Sequence, residues 1–216
     1  MDSEPVHLGA FQQVLEPLGI ELTSDAYYAR YVGYDDHAAF VAILCDQGRS
    51  PSEPLILELI AAKTLVVQTA LERQAKPLPG VLELMQQAEL AVTPIAVCSG
   101  ALRRELELGL RGAGVRDYVM TLVCAEDVTQ SKPNPQGYRL ALANLSRLTG
   151  RALLAERTAV IEDTPFGIQA AKAAGMKVLA VGTSASPAEL RSAGADLVVP
   201  SLTQVTFTQL GQLTAG

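Results

Sequence analysis

The chain has 216 residues, 49% of them hydrophobic and 19% charged, with a formal net charge of −6. That length holds one large domain or a core with a smaller insert, and the apolar share is enough for a sizeable buried core. The composition excludes several classes. No Lys/Arg cluster interleaves with aromatics, so nucleic acid is not an expected partner. Cys45, Cys98 and Cys124 form no CxxC pair, which argues against a structural zinc or a disulfide framework and suits the cytoplasm. Charges break the apolar runs short of the about 20 residues that a membrane span needs, and the acidic residues 1–4 do not open a signal peptide, so no membrane partner is expected.

The first third reads as helical. Residues 6–18 place Val6, Phe11, Val14, Leu15 and Leu18 near helical spacing, and Gly19 closes the run. Residues 23–31 predict a short helix, with Gly33 breaking the pattern. Residues 36–46 repeat apolar side chains at Phe40, Val41, Ile43 and Leu44. Residues 52–73 predict a long helix with Ser52 as N-cap and Glu53 and Glu58 near its positive end. Pro77 and Pro79-Gly80 mark a boundary. Beyond it, apolar runs at residues 92–98, 119–123, 158–161, 177–181 and 197–199 alternate with helical stretches at 101–112, 135–148, 165–174 and 187–192. Continuous apolar strands between helices predict a buried parallel sheet covered on both faces. The expected organisation is an α-helical insert over residues 5–76 and an α/β core over residues 77–216, with residues 1–4 as linker.

In such a sheet ligands bind at the carboxyl ends of the strands, and three polar stretches fall there. Ser99-Gly100 follows one strand and would offer a hydroxyl and backbone N–H groups to a phosphate; an ordinary helix cap is the commoner use of such a Ser. Glu162-Asp163 puts two adjacent carboxylates at another strand tip, where a hard cation such as Mg²⁺ would relieve their repulsion. The competing reading is a cap by Asp163 or Thr164 ahead of Pro165. Lys132, in Ser131-Lys132-Pro133-Asn134-Pro135, is held between prolines and would neutralise phosphoryl charge; most single lysines simply face solvent. The glycine-rich run at residues 109–114 lies at a helix end, which argues against a dinucleotide-binding oxidoreductase.

In this order, these stretches resemble motifs two, three and four of the haloacid dehalogenase superfamily, in its β-phosphoglucomutase-like and phosphoglycolate-phosphatase-like branch. Ser99-Gly100-Ala101-Leu102-Arg103, Ser131-Lys132-Pro133-Asn134-Pro135, Glu162-Asp163-Thr164-Pro165-Phe166-Gly167-Ile168 and the opening Asp2-Ser3-Glu4-Pro5-Val6-His7 carry the likeness, which covers nearly the whole chain. The resemblance implies a Rossmann-like core with a helical cap, Mg²⁺ as cofactor, and hydrolysis of a phosphomonoester of a small metabolite. It implies that Ser99, Gly100 and Arg103 bind phosphoryl oxygens and that Lys132 steadies both phosphate and nucleophile. Glu162 and Asp163 would hold Mg²⁺, and Gly33, Asp36 and His7 of the cap would select the substrate. His7 reads equally well as a surface histidine.

The family's nucleophile and its acid–base group are the aspartates of an Asp-x-Asp-Gly motif on the central first strand. Nothing before Asp2 supplies them. The expectation is therefore an N-terminally shortened form that lacks the central strand, is inactive as it stands, and aggregates through unpaired strand edges. A non-catalytic phospholigand-binding protein is the alternative. A sugar-phosphate mutase is a weaker reading, because the loop at residues 33–36 offers two carboxylates and no cation for a second phosphate. A monomer is expected, with a homodimer as the alternative.

Overall fold

The structure is a computed structural model that describes residues 4–32 and 34–215. Its contacts divide the chain into two units, Met1–Ala75 and Lys76–Gly216.

The first unit is helical. Helix α1 (Glu4–Leu15) runs into a 3₁₀ turn that Gly19 ends in the left-handed region, φ 68°. The Thr23 hydroxyl caps α2 (Ser24–Arg30), and the Asp35 carboxylate caps α3 (Asp36–Asp46). Phe11, Leu15, Tyr27, Phe40, Ile43, Leu44, Ile56 and Leu59 pack into one cluster, with the Phe11 and Phe40 rings edge-on at 4.9 Å. Helix α4 (Glu53–Gln74) departs from the expectation in two ways. Ser52 flanks it without a side-chain cap bond, and its Glu53–Arg73 stretch, at mean hydropathy 1.5, is long and apolar enough to cross a membrane by length and composition. Its use of that surface is amphipathic. Ile56, Leu59, Lys63, Val67 and Leu71 are buried at helical spacing, while Leu57 and Leu65 are exposed.

The second unit alternates: α5 (Val81–Leu90), β1 (Ala96–Cys98), α6 (Arg103–Gly112), β2 (Thr121–Val123), α7 (Gln136–Thr149), β3 (Ala159–Glu162), α8 (Pro165–Ala173), β4 (Lys177–Val181), α9 (Pro187–Ser192), β5 (Leu197–Val199) and α10 (Phe207–Thr214). All pairings are parallel, as the continuous apolar runs require: β1 with β2, and β4 between β3 and β5. The result is a Rossmann-like α/β unit whose strands form two small sheets; among the described residues nothing pairs β1 with β3. On β3 the Ile161 side chain is 42% exposed, between buried Val160 and Glu162.

Two helices, α5 and α10, lie where the sequence reading placed none, and the run at residues 92–98 is strand only from Ala96. The cause is local. The Thr93 N–H bonds the Ala88 carbonyl at 2.8 Å and Val92 takes φ 52°, so residues 91–93 close α5 as a helix C-cap.

Candidate functional site

Strands β1 and β3 end at Cys98 and Glu162, at the carboxyl ends of parallel strands. Helix α8 starts at once after β3. Thr164 is its cap, the hydroxyl accepting from the Gly167 N–H at 3.1 Å with Pro165 in the first turn. The capping role thus falls to Thr164 and leaves the Asp163 side chain free of it.

Glu162 is 8% exposed and hydrogen-bonded on both oxygens. Oε1 accepts from the Lys132 ammonium and, at 2.5 Å, from the Tyr138 hydroxyl. Oε2 accepts from the Thr164 hydroxyl and the Asp163 amide, each at 3.1 Å. Lys132 also donates to the Cys98 carbonyl at 3.2 Å, with Nζ 5.0 Å from the centre of the Tyr138 ring. Burial alone would raise the Glu162 carboxyl, but the Lys132 charge and the donated hydrogen bonds outweigh it and hold the carboxyl below its usual value of 4.5. Burial, then the Glu162 charge, pushes the Tyr138 hydroxyl up. The Glu162 carboxyl is therefore ionised, with a neutral phenol donating to it. Gly167 faces the same carboxylate: a Cβ there would stand 2.0 Å from the Glu162 Cδ, so a side chain at this position would displace Glu162.

The side chains of the other expected residues have other partners. Asp163 Oδ2 accepts from the hydroxyls of Thr183 at 3.0 Å and Ser184 at 2.5 Å, on the loop after β4. Ser99 extends β1 by donating its N–H to the Val123 carbonyl at 2.9 Å, and its hydroxyl accepts from the Ala101 N–H at 3.1 Å. That hydroxyl closes a turn and does not cap α6. The α6 cap comes from elsewhere: the Glu126 carboxylate accepts from the Arg103 N–H at 3.0 and 3.1 Å, since Leu102 has no side-chain acceptor. The Arg103 guanidinium is paired with Asp127, away from the role expected of it. Gly100 is exposed. Tyr138, Thr183 and Ser184 were missed because nothing local marks them; each meets the site through a partner 20 to 24 residues away.

The donor set decides how well Mg²⁺ fits. Among the described residues no three His, Cys, Asp or Glu side chains gather to hold a metal ion. Mg²⁺ needs fewer, since it takes one or two carboxylates and completes its shell with water and phosphate oxygens. Both Glu162 oxygens are engaged, whereas Asp163 Oδ1 accepts no hydrogen bond from the described residues. The residues present fit Mg²⁺: Asp163 would be its direct carboxylate, while Glu162 fixes Lys132. When bound, Mg²⁺ would screen phosphoryl charge.

The helical unit holds a second polar cluster. Lys63, on the buried face of α4, is 1% exposed. Its ammonium pairs with Asp36 at the start of α3, lies 3.1 Å from His7 Nδ1 on α1, and sits 4.3 Å from the Phe11 ring centre. Burial, followed by the Lys63 charge, lowers the His7 pKa below 6.5, so the ring is neutral and Nδ1 accepts. The Tyr27 hydroxyl donates to Glu4 at 2.8 Å. His7 is thus engaged within the unit, and the region expected to offer no cation receives Lys63 from 27 residues downstream of Asp36. A charged residue in phase with Ile56, Leu59 and Val67 was the signal available for it. Gly33 lies outside the described residues.

The profile of the family described as haloacid dehalogenase-like hydrolase matches residues 1–181. The chain is 32% identical over 132 residues to validoxylamine A 7'-phosphate phosphatase of Streptomyces hygroscopicus subsp. limoneus, an alignment covering 61% of this chain and 58% of that protein. It therefore spans less than two thirds of that relative's length. It is 29% identical over 181 residues to fructose-1-phosphate phosphatase YqaB of Escherichia coli strain K12, covering 84% of this chain and 90% of the relative. Among solved structures, CbbY from Rhodobacter sphaeroides in complex with phosphate aligns with a TM-score of 0.75 and 25% identity, covering 94% of this chain and 90% of that chain.

Proposed function

The chain belongs to the haloacid dehalogenase-like hydrolase family, and from that premise we propose that it is built to act on the phosphomonoester of a small metabolite with Mg²⁺ as cofactor. The observation that carries this reading is the Lys132–Glu162 pair: its ammonium also meets the carbonyl of Cys98, the residue before Ser99 at the end of β1, and its carboxylate ends β3 just before Asp163. The buried carboxylate holds a partly exposed ammonium in a fixed place, and a fixed cationic donor is what a transferring phosphoryl group requires. In this reading Ser99 and Gly100 contact phosphoryl oxygens, Lys132 neutralises their charge, and Asp163 holds the cation. Arg103 joins them only when its pair with Asp127 opens.

The helical unit is the substrate-selecting cap, with His7, Asp36 and Lys63 as its polar residues. Lys63 has a carboxylate partner as Lys132 does, but its side chain is 2% exposed against 26% for Lys132. It is therefore a poor receptor for a second phosphate, and hydrolysis is favoured over a mutase reaction. The reading carries with it a cytoplasmic enzyme that is a monomer once the attacking strand is in place.

The chemistry also needs an in-line nucleophile within about 3–3.5 Å of phosphorus. Glu162 is committed to Lys132, Asp163 is assigned to the cation, and no Asp-x-Asp-Gly sequence occurs in the 216 residues. The chain by itself is then a phospholigand binder, and a strand bearing that motif supplies the attacking carboxylate. The test is hydrolysis of p-nitrophenyl phosphate with Mg²⁺ by this chain and by a version extended at its N-terminus with an Asp-x-Asp-Gly strand. The extended form should turn over and lose activity on Lys132→Ala. Robust turnover by the 216-residue chain, abolished by Asp163→Ala, would overturn the assignment of the nucleophile.

A further inference from the structure

Asp163 stands at the end of β3, where a lone carboxylate would rotate about two side-chain bonds. Its neighbour in the sheet is β4, and the segment that leaves β4 is pinned at both ends. Gly182 donates its N–H to the Val199 carbonyl at 2.9 Å, Thr183 to the Val181 carbonyl at 2.9 Å, and Ser186 forms a reciprocal capping box with Glu189 at the start of α9. Between these anchors the hydroxyls of Thr183 and Ser184 both meet the same carboxylate oxygen, Asp163 Oδ2. Two donors on one oxygen fix the carboxylate plane and leave Oδ1 as the oxygen to be shared. Carboxylates that bind metals are commonly held by such outer hydrogen bonds, whose loss weakens metal affinity by about 10–100-fold.

We propose that Thr183 and Ser184 are positioning residues that orient Asp163 so that its Oδ1 faces a divalent cation. This rests on the assignment of Asp163 as the cation's carboxylate. The experiment measures binding of Mn²⁺, as a paramagnetic substitute for Mg²⁺, to the full chain with inorganic phosphate present, read from the loss of the free-ion EPR signal. Thermal unfolding of each variant is recorded alongside. Wild type should bind, Asp163→Asn should not, and the double variant Thr183→Val/Ser184→Ala should bind at least about tenfold more weakly. The conservative Thr183→Ser/Ser184→Thr should keep wild-type affinity. If the double variant unfolds, Ser184→Ala alone is the deciding variant. No Mn²⁺ binding by wild type, or undiminished binding by Asp163→Asn, would remove the assignment of Asp163 and the proposal with it. Binding by wild type that is lost in Asp163→Asn but unchanged in the hydroxyl variant would overturn the proposal and leave the assignment standing.

Discussion

The buried carboxylate of Glu162 is the residue on which the core site turns. Removing one of its neutral donors should cost less than removing the charge itself. Tyr138→Phe deletes one hydrogen bond to an ionised group, worth about 1.5–3 kcal/mol. Glu162→Ala leaves the Lys132 ammonium without its counter-charge in a largely buried setting, at a cost of about 3–5 kcal/mol. Urea unfolding of the two variants checks the order, and equal losses would mean that the ion pair contributes no more than the phenol. In the helical unit, His7 carries a pH dependence. Its pKa is held below 6.5 by burial first and by Lys63 second. Between that depressed value and 6.5 the unfolded chain binds more protons than the folded one. The His7 contribution is therefore complete above pH 6.5 and is lost as pH falls through that window. Wild type should lose stability more steeply than His7→Gln between about pH 7 and pH 5, as read by unfolding at each pH.

At the scale of elements, local rules account for most boundaries and for one strained turn. Thr164-Pro165 starting α8 and Gly19 ending the α1 segment were legible, because caps and left-handed glycines are local signals. Helix α10 also carries a local signal, the Thr206–Gln209 capping box, but its short apolar pattern has too little periodicity to mark a helix. Val92 is the reverse case: a β-branched residue read as strand that closes α5 at φ 52° with its side chain 76% exposed. A left-handed β-branched residue costs about 1–2 kcal/mol, part of which glycine recovers after its own entropic cost. Val92→Gly should therefore stabilise the chain by about 0.5–1 kcal/mol, raising the urea midpoint without changing the slope. A loss of stability would show that Val92 makes contacts that outweigh the strain.

Across the whole molecule the described strands form two parallel sheets in place of one. Among the described residues β1 pairs with β2 alone and β3 with β4 alone, so each sheet has an edge strand with no partner among them, and Ile161 adds exposed apolar surface on β3. Edges of this kind recruit other strands. The mass measured by light scattering after size exclusion should rise with protein concentration, and Ile161→Lys, which puts a charge on the β3 edge, should shift it towards the monomer. A concentration-independent monomeric mass for the unmodified chain would count against this.

Periodicity and short motifs by themselves determined the alternation of strands and helices after Pro79-Gly80, the helical first third, and the grouping of Ser99, Lys132, Glu162 and Asp163 as one set of candidates. These are properties of neighbouring residues, and a local pattern is enough to carry them. Tertiary structure alone decided which atoms meet. Lys132 reaches Glu162 across 30 residues, Ser184 reaches Asp163 across 21, and Lys63 reaches His7 across 56. The reason is physical: a charge on a helix face or a hydroxyl in a loop is locally indistinguishable from a solvated one, and becomes a partner only when packing removes water and brings a distant element within hydrogen-bond distance.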